Sequence, residues 1–575
     1  MADTSHNHSG ISCFLVYFEL TPNPLLLMKN SCYLLLVAAI LFVSCGNNTE
    51  QQANTTDSVA IKAINDSSFA RHIKALASDE FLGRKPFTVG EDKTINYLKE
   101  QFSQLGLQPG NGDSYFQEVP LVEIGSKPEG PLVVTGKQGS VTLRYLDDYV
   151  AGTERAVPNV QVEHSDWVFA GFGIVAPEYN WNDYAGLDVK GKTVLVMVND
   201  PGFYDSTLFK GKTMTYYGRW TYKFEEAARQ GATGIIIIHD TAPASYPWTV
   251  VRSGWSKSKL HLQHADDNIK APAMEGWITS ESADKLFKLA GASKDLLQQA
   301  KKPGFKPVPL GLQSSLQINN SIKKSTSHNV LAVWPGTDRA DEYIIYSAHW
   351  DHLGTGEAIR GDSIYNGAMD NASGTAALLE IATAFTKLEK KPSRSILFLS
   401  VTAEEQGLLG SAYYAAHPVY PVKKTVADIN MDVLNTFGRT KDITIVGLGQ
   451  SELDDYARKA ADKQGRVIAG ESNPSGGWFF RSDHFNFAKV GIPALYVGAG
   501  VDSREHGPAY GKEQAERYGK ERYHSPFDEF DPNWNMSGMV EDTRLLFDVG
   551  VTLSQESSFP KWKAGSEFKA IREKP

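Results

Sequence analysis

Between residues 343 and 497, short runs that are almost wholly apolar alternate with one amphipathic helix and with polar loops. Tyr343-Ile-Ile-Tyr-Ser-Ala348, Ser395-Ile-Leu-Phe-Leu-Ser-Val401, Ile443-Thr-Ile-Val446 and Ile492-Pro-Ala-Leu-Tyr-Val497 have the length and β-branched content of strands. Thr375 to Leu388 places Leu378, Leu379, Ala382, Phe385 and Leu388 on one helical face. Strands that are apolar on both faces must be covered on both sides, which predicts an α/β fold: a mixed, mainly parallel sheet flanked by helices. In such sheets the ligand crevice lies at the carboxyl ends of the strands. Residues that carry chemistry should therefore sit just after the apolar runs.

They do. The first run ends in His349-Trp-Asp351-His352, and the second leads into Thr402-Ala-Glu404-Glu405. The stretch Val426-Ala-Asp-Ile-Asn-Met431 ends in Asp432. Asp370 lies in Gly367-Ala-Met-Asp-Asn-Ala-Ser-Gly374, just before the helix, and His524 lies far downstream in Tyr523-His-Ser-Pro-Phe-Asp528. The chain has three cysteines, Cys13, Cys32 and Cys45, all near the amino terminus. A disulfide scaffold, a cysteine-ligated metal and a cysteine nucleophile are thereby excluded from the body. Carboxylates gathered in one crevice resist joint ionisation, and divalent cations relieve that repulsion. All-His/carboxylate ligation suits zinc, and two ions bridged by one carboxylate can activate a shared water.

Upstream, residues of about 59–125 read as helical. Phe69, Ile73 and Leu76 fall at helical spacing, as do Ile95, Leu98, Phe102 and Leu105. Asp79 to Pro86 between them reads as a polar loop. Residues of about 140–305 differ in character: they are rich in glycine, valine and aromatic residues, with strand-like runs at 166–171, 193–198 and 234–239 and a helix from Tyr222 to Gln230. Phe169-Ala-Gly-Phe-Gly173, Asp183-Tyr-Ala-Gly-Leu-Asp188, Gly191-Lys-Thr-Val-Leu-Val196 and Ala227-Ala-Arg-Gln-Gly-Ala-Thr-Gly-Ile-Ile236 resemble the protease-associated (PA) domain. His164, His239, His261 and His264 in this block lack carboxylates at ligand spacing and read as packing or surface residues.

With the order of His349, Asp370, Glu404-Glu405, Asp432 and His524 on the page, together with Phe81-Leu-Gly-Arg84 and Gly106-Leu-Gln-Pro109, the chain resembles metallopeptidase family 28. These are secreted co-catalytic zinc aminopeptidases with a zinc-exopeptidase (phosphorylase/hydrolase-like) fold. Their relatives with an inserted PA domain include glutamate carboxypeptidase and the transferrin receptor ectodomain. The resemblance implies two zinc ions: His349 and Asp432 completing one site, Glu405 and His524 the other, and Asp370 bridging both. It implies Glu404 as general base and Asp351 as the residue orienting His349. An aminopeptidase acting on peptides is the expected activity. Alternatives are a carboxypeptidase of the glutamate carboxypeptidase kind and a single-zinc glutaminyl-cyclase-like acyltransferase; an intact Glu404 argues against a non-catalytic receptor. His352 reads as pocket lining, Ser482-Asp-His484 as support, and Tyr496 with Gly476-Gly477 as shaping specificity. His506 reads as a solvated residue in a polar loop from Val501 to Lys520.

The amino terminus reads as an address. Cys32 to Ser44 is apolar but shorter than the ~20 residues that span a bilayer, which suits a signal peptide. Met28-Lys-Asn30 reads as a natural start, making residues 1–27 an upstream extension. Phe42-Val-Ser-Cys45 resembles a lipobox. The expected organisation is a signal peptide (1–44), a lipidated tether (45–58), the helical start of the peptidase domain (59–130), the inserted PA domain (131–315) and the main zinc-peptidase domain (316–575). The expected location is periplasmic or cell-surface, with membrane contact only through a lipid on Cys45. The 58 Lys+Arg against 67 Asp+Glu leave a net charge of −9, which argues against a nucleic-acid partner. Peptides are the expected partners, and the oligomeric state is not legible in the sequence.

Overall fold

A computed structural model describes residues 58–293 and 295–574; the presequence and Cys45 lie outside the described residues. The described residues form one compact unit. In chain order it opens with helices α1 (Asp66–Leu76) and α2 (Val89–Gln104), followed by strand β1 (Phe116–Pro128). Next come β2 (Leu132–Gly136), β3 (Tyr149–Gly152), β4 (Asn159–Phe169), β5 (Thr193–Met197), α3 (Trp220–Arg229), β6 (Gly234–His239) and β7 (Met274–Thr279). A 27-residue strand, β8 (Val308–Trp334), returns to the body. It is followed by β9 (Arg339–His349), α4 (Gly374–Thr386), β10 (Arg394–Val401), β11 (Thr425–Asn430), β12 (Asp442–Val446), β13 (Val467–Gly470) and β14 (Ala494–Ala499). Helices α5 (Gly507–Glu521) and α6 (Ser537–Gln555) close the fold.

In the body, β10, β9, β11 and β14 pair in parallel, in that order across the sheet. β8 flanks β10 and β12 flanks β14, both antiparallel. The sheet is mixed and mainly parallel, as expected. Its period-two alternation splits the apolar runs between two cores. Ile344, Tyr346, Ile396 and Phe398 pack with α4 and α6 on one face, while Ile345, Leu397, Leu399 and Val401 pack with Tyr414 and Phe487 on the other. Both faces are dry, which explains why the strands read as unbroken apolar runs.

The inserted segment builds a second parallel set, β4–β5–β6–β7. It has its own cores, one around Trp167, Phe169, Phe172 and Ile236, the other around Val194, Phe224, Ile237 and Trp277. β8 runs through both regions: its first part pairs with β4, its middle with β1 and its last residues with β10. The 315/316 boundary expected from sequence thus falls inside one continuous strand.

Two readings are corrected. Asp79–Arg84 is a tight helical turn rather than a loop, with Phe81 and Arg84 buried. Residues 507–521, read as polar loop, form α5; its mostly exposed, charged sequence gave no apolar stripe to mark it. His506 before it is exposed, as expected. No helix among the described residues is long and apolar enough to cross a membrane.

Candidate metal centre

The register of the body sheet brings the site together. Ser347 pairs with Asn430 and His349 with Val401. Two residues beyond, Asp432 comes level with His349, and the Nε2 to Oδ1 distance is 3.2 Å. Glu404 and Glu405 lie just past the end of β10, where the Glu404 amide donates to Asp351 Oδ1 at 3.0 Å. Asp370 sits in the turn Ala368–Ser373 that opens α4.

That turn is held from two sides. Met369 and Asp370 donate their amides to the Asp528 carboxylate at 3.0 Å each. Arg84, fully buried, donates to the carbonyls of Trp350, Leu76, Asn366 and Gly367 at 2.5–2.8 Å. One guanidinium thus ties the His349 strand end to the Asp370 turn. Burial pulls its pKa down to about 10, against the opposing pull of Asp528, Asp351, Asp370 and Glu405.

The two oxygens of Asp370 face different histidines. Oδ1 is 3.3 Å from His349 Nε2, and Oδ2 is 3.3 Å from His524 Nε2. His524 Nε2 is also 2.9 Å from Glu405 Oε2, and His352 Nδ1 is 2.5 Å from Glu405 Oε1. Yet Glu405 Oε1 and both ring nitrogens of His352 are buried without a hydrogen-bond partner among the described residues. Donor atoms that crowd together without pairing fit a cation between them. Two groups have the right spacing, His349–Asp370–Asp432 and His352–Asp370–Glu405, and they share Asp370. The all-N/O donor set suits zinc.

The electrostatics are those of crowded acids. Burial pushes the Glu404 carboxyl well above its ordinary range, with Asp432 and Glu405 adding to it and His349 opposing. Burial also works against a charged His349, but Glu404, Asp432 and Asp370 hold its imidazole well above the usual histidine value. His524 shows the same balance between burial and its Asp370 and Glu405 neighbours, and rises to about 10.

The structure brings together all seven residues expected from sequence: His349, Asp351, Asp370, Glu404, Glu405, Asp432 and His524. Asp351 approaches His349 in an unexpected way, since its carbonyl oxygen is 3.1 Å from His349 Nδ1 and its carboxylate 3.8 Å. Ser482, Asp483 and His484 do not form a relay. Ser482 Oγ donates to Asp432 Oδ2 at 2.7 Å, Asp483 accepts from Ser411, and His484 packs edge-on against Phe479. Tyr496 donates to the Asp432 carbonyl at 3.1 Å, behind the site. In the insert His239 is buried against Tyr246, and His261 lies 3.5 Å from Glu154, a neighbour its spacing did not show. Sequence reasoning took His352 for pocket lining, whereas the structure sets it among the candidate metal ligands, and it gave Arg84 and Asp528 no role. The last two stood inside quoted motifs, but no local pattern marks a side chain whose partners are main-chain groups hundreds of residues away.

Residues 329–547 match the model of peptidase family M28. Over this segment the chain is similar to peptidase family M28. The M28 segment encloses all seven site residues and excludes the insert. Among curated proteins, the chain is similar to aminopeptidase NAALADL1 of Mus musculus, 38% identical over 139 residues, 23% of this chain and 17% of that protein. It is also similar to aminopeptidase YwaD of Bacillus subtilis, 30% identical over 211 residues, 35% of this chain and 43% of that one. The chain therefore spans less than half the length of either relative. Among solved structures, an aminopeptidase from Aneurinibacillus sp. strain AM-1 aligns over 88% of this chain and 97% of its own, at 20% identity and a TM-score of 0.48.

Proposed function

We propose that this protein is an exported, zinc-dependent exopeptidase that removes amino-terminal residues from peptides. The observation that carries the reading is Asp370: one oxygen faces buried His349, the other faces the more exposed His524, and two candidate metal-binding clusters share this residue. The relatives' names, both aminopeptidases, support the exopeptidase class.

In this reading His349, Asp370 and Asp432 would hold one zinc and Asp370, Glu405 and His524 the other; His352 Nδ1 lies 2.5 Å from Glu405 Oε1. When bound, zinc supplies Lewis-acid polarisation of the scissile carbonyl and a lowered pKa for water. The remaining work belongs to the chain. Glu404 Oε2 is 3.9 Å from His349 Nε2, at the edge of the cage rather than inside it. Its carboxylate takes the proton of the attacking water and returns it to the leaving nitrogen. Asp351 holds the Glu404 amide through its side chain and His349 Nδ1 through its carbonyl, fixing base and ligand relative to one another. Ser482 turns Asp432 so that Oδ1 faces His349. The apolar run before Cys45 and the lipobox-like Phe42-Val-Ser-Cys45 support export and anchoring through a lipid on Cys45.

The test is metal content and a substrate panel on the purified chain. About two zinc ions per chain, chelator-sensitive hydrolysis of aminoacyl anilides, and no cleavage of N-blocked peptides are expected. Cleavage of blocked peptides from their carboxyl ends would replace the aminopeptidase reading with the carboxypeptidase one.

A further inference from the structure

A buried neutral imidazole has one N–H to place and one lone pair to satisfy, and a cation can take up the lone pair. His352 is 1% exposed, and neither ring nitrogen has a hydrogen-bond partner among the described residues. The ring is nonetheless held in place. The His352 amide donates to the Arg84 carbonyl at 3.3 Å, and the ring lies against Gly367, where a Cβ would come 2.5 Å from His352 Cγ and 2.6 Å from Cδ2. Gly367 takes a φ of +59°, which favours glycine, and its carbonyl is one of the four that Arg84 ties down. Gly367 thus leaves room for this ring at the start of the Asp370 turn.

What the ring faces is Glu405. His352 Nδ1 is 2.5 Å from Glu405 Oε1 without forming a hydrogen bond to it, and the other oxygen, Oε2, is 2.9 Å from His524 Nε2. Glu405 therefore repeats what Asp370 does, turning one oxygen to each of two histidines. The two imidazoles, His352 and His524, meet edge to face at 5.8 Å between centroids. His352, Asp370 and Glu405 each offer a donor atom within 4.8 Å of the other two. The resemblance to family M28 implies five ligands and leaves His352 out. Adding it makes the two halves of the cage unequal: three protein donors on one side (His349, Asp370, Asp432) and four on the other (His352, Asp370, Glu405, His524). Four protein ligands are the mark of a closed, structural zinc site, whereas three leave a position open for water or substrate.

We propose that His352 is a fourth protein ligand of the second zinc, beside Asp370, Glu405 and His524, so that this ion fills first and is closed off by protein. The open position then belongs to the side of His349 and Asp432. Glu404 stands on that same side, with Oε2 3.9 Å from His349 Nε2, so the base and the open position fall together. This deepens the peptidase reading above and rests on its metal assignment.

Zinc X-ray absorption on the unmutated chain, stripped and reloaded with one equivalent of zinc, tests this without any variant. Two imidazoles on that zinc, from His352 and His524, are expected; a single imidazole overturns the proposal. His352→Gln, once shown to be folded by circular dichroism, should lose one of the two imidazoles. Competition with a chromogenic chelator should show its first zinc bound at least about 100-fold more weakly, beyond the 10- to 100-fold of a residue that merely supports a ligand. A smaller loss overturns the ligand role, and if the variant does not fold the absorption result decides alone. Neither readout depends on turnover. Two imidazoles on the zinc of a chain that cleaves no peptide would support the ligand and remove the peptidase reading. Chelator-sensitive removal of amino-terminal residues by a chain whose first zinc carries one imidazole would do the reverse.

Discussion

The body and the insert each hold a parallel set of strands buried on both faces, yet they treat their acids differently. In the insert, Asp183 accepts from the amides of Phe172 and Ile174 and from Trp181 Nε1, at 2.9–3.1 Å. Asp200 accepts from the amides of Gly202 and Thr215 and from the Thr215 hydroxyl. Lys223, fully buried, lies near both carboxylates and donates to the carbonyls of Asn199 and Tyr217. At the strand ends of the body, Glu405 Oε1, Asp351 Oδ2 and the His352 nitrogens are buried and unpartnered among the described residues. The two insert acids are saturated with donors, whereas the acids at the cage are left short of them. Topology alone does not distinguish the two sheets, but hydrogen-bond accounting does.

Four substitutions would break or sharpen this contrast. The largest effect is expected for Glu404→Gln, which should lower kcat about 10²- to 10⁴-fold while leaving metal content unchanged; steady-state kinetics and metal analysis read both. Full activity in that variant would remove Glu404 from the mechanism. Asp200→Ala should destabilise the chain by about 2–4 kcal/mol in urea unfolding, because it strands the Thr215 donors beside Lys223. Glu405→Gln in the chelated chain should cost less stability than Asp200→Ala, since Oε1 has no hydrogen-bond donor to strand. A loss as large as that of Asp200→Ala would erase the distinction between the two regions. Ser482→Ala should weaken zinc affinity about 10- to 100-fold, measured by competition with a chromogenic chelator, with little change in the folded state.

Much of this was legible in the sequence. The strand runs and α4 declared themselves because their burial is continuous, and His349, Glu404, Glu405 and Asp432 were found because they follow strands. Asp370 and His524 came from the family pattern, since a turn and a loop carry no periodicity. β8 was missed although Leu310, Leu312, Leu316 and Ile318 alternate inward. Beyond Ile318 the strand crosses between the two regions, and apart from Ile322 its residues are polar until Val330, so no single pattern spans it.

β8 also sets how the molecule comes apart. At 3.3 Å per residue its 27 residues extend about 90 Å, and they are pairing partners to strands of both regions. Ile318 pairs with Pro128, 190 positions earlier (318 − 128), so zipping this seam closes a very long loop. An insert tied in by two slack linkers could melt by itself. One sewn along a common strand loses its edge whenever the body does, so heat should register as a single endotherm, and a protease nick within 319–327 should release both halves together.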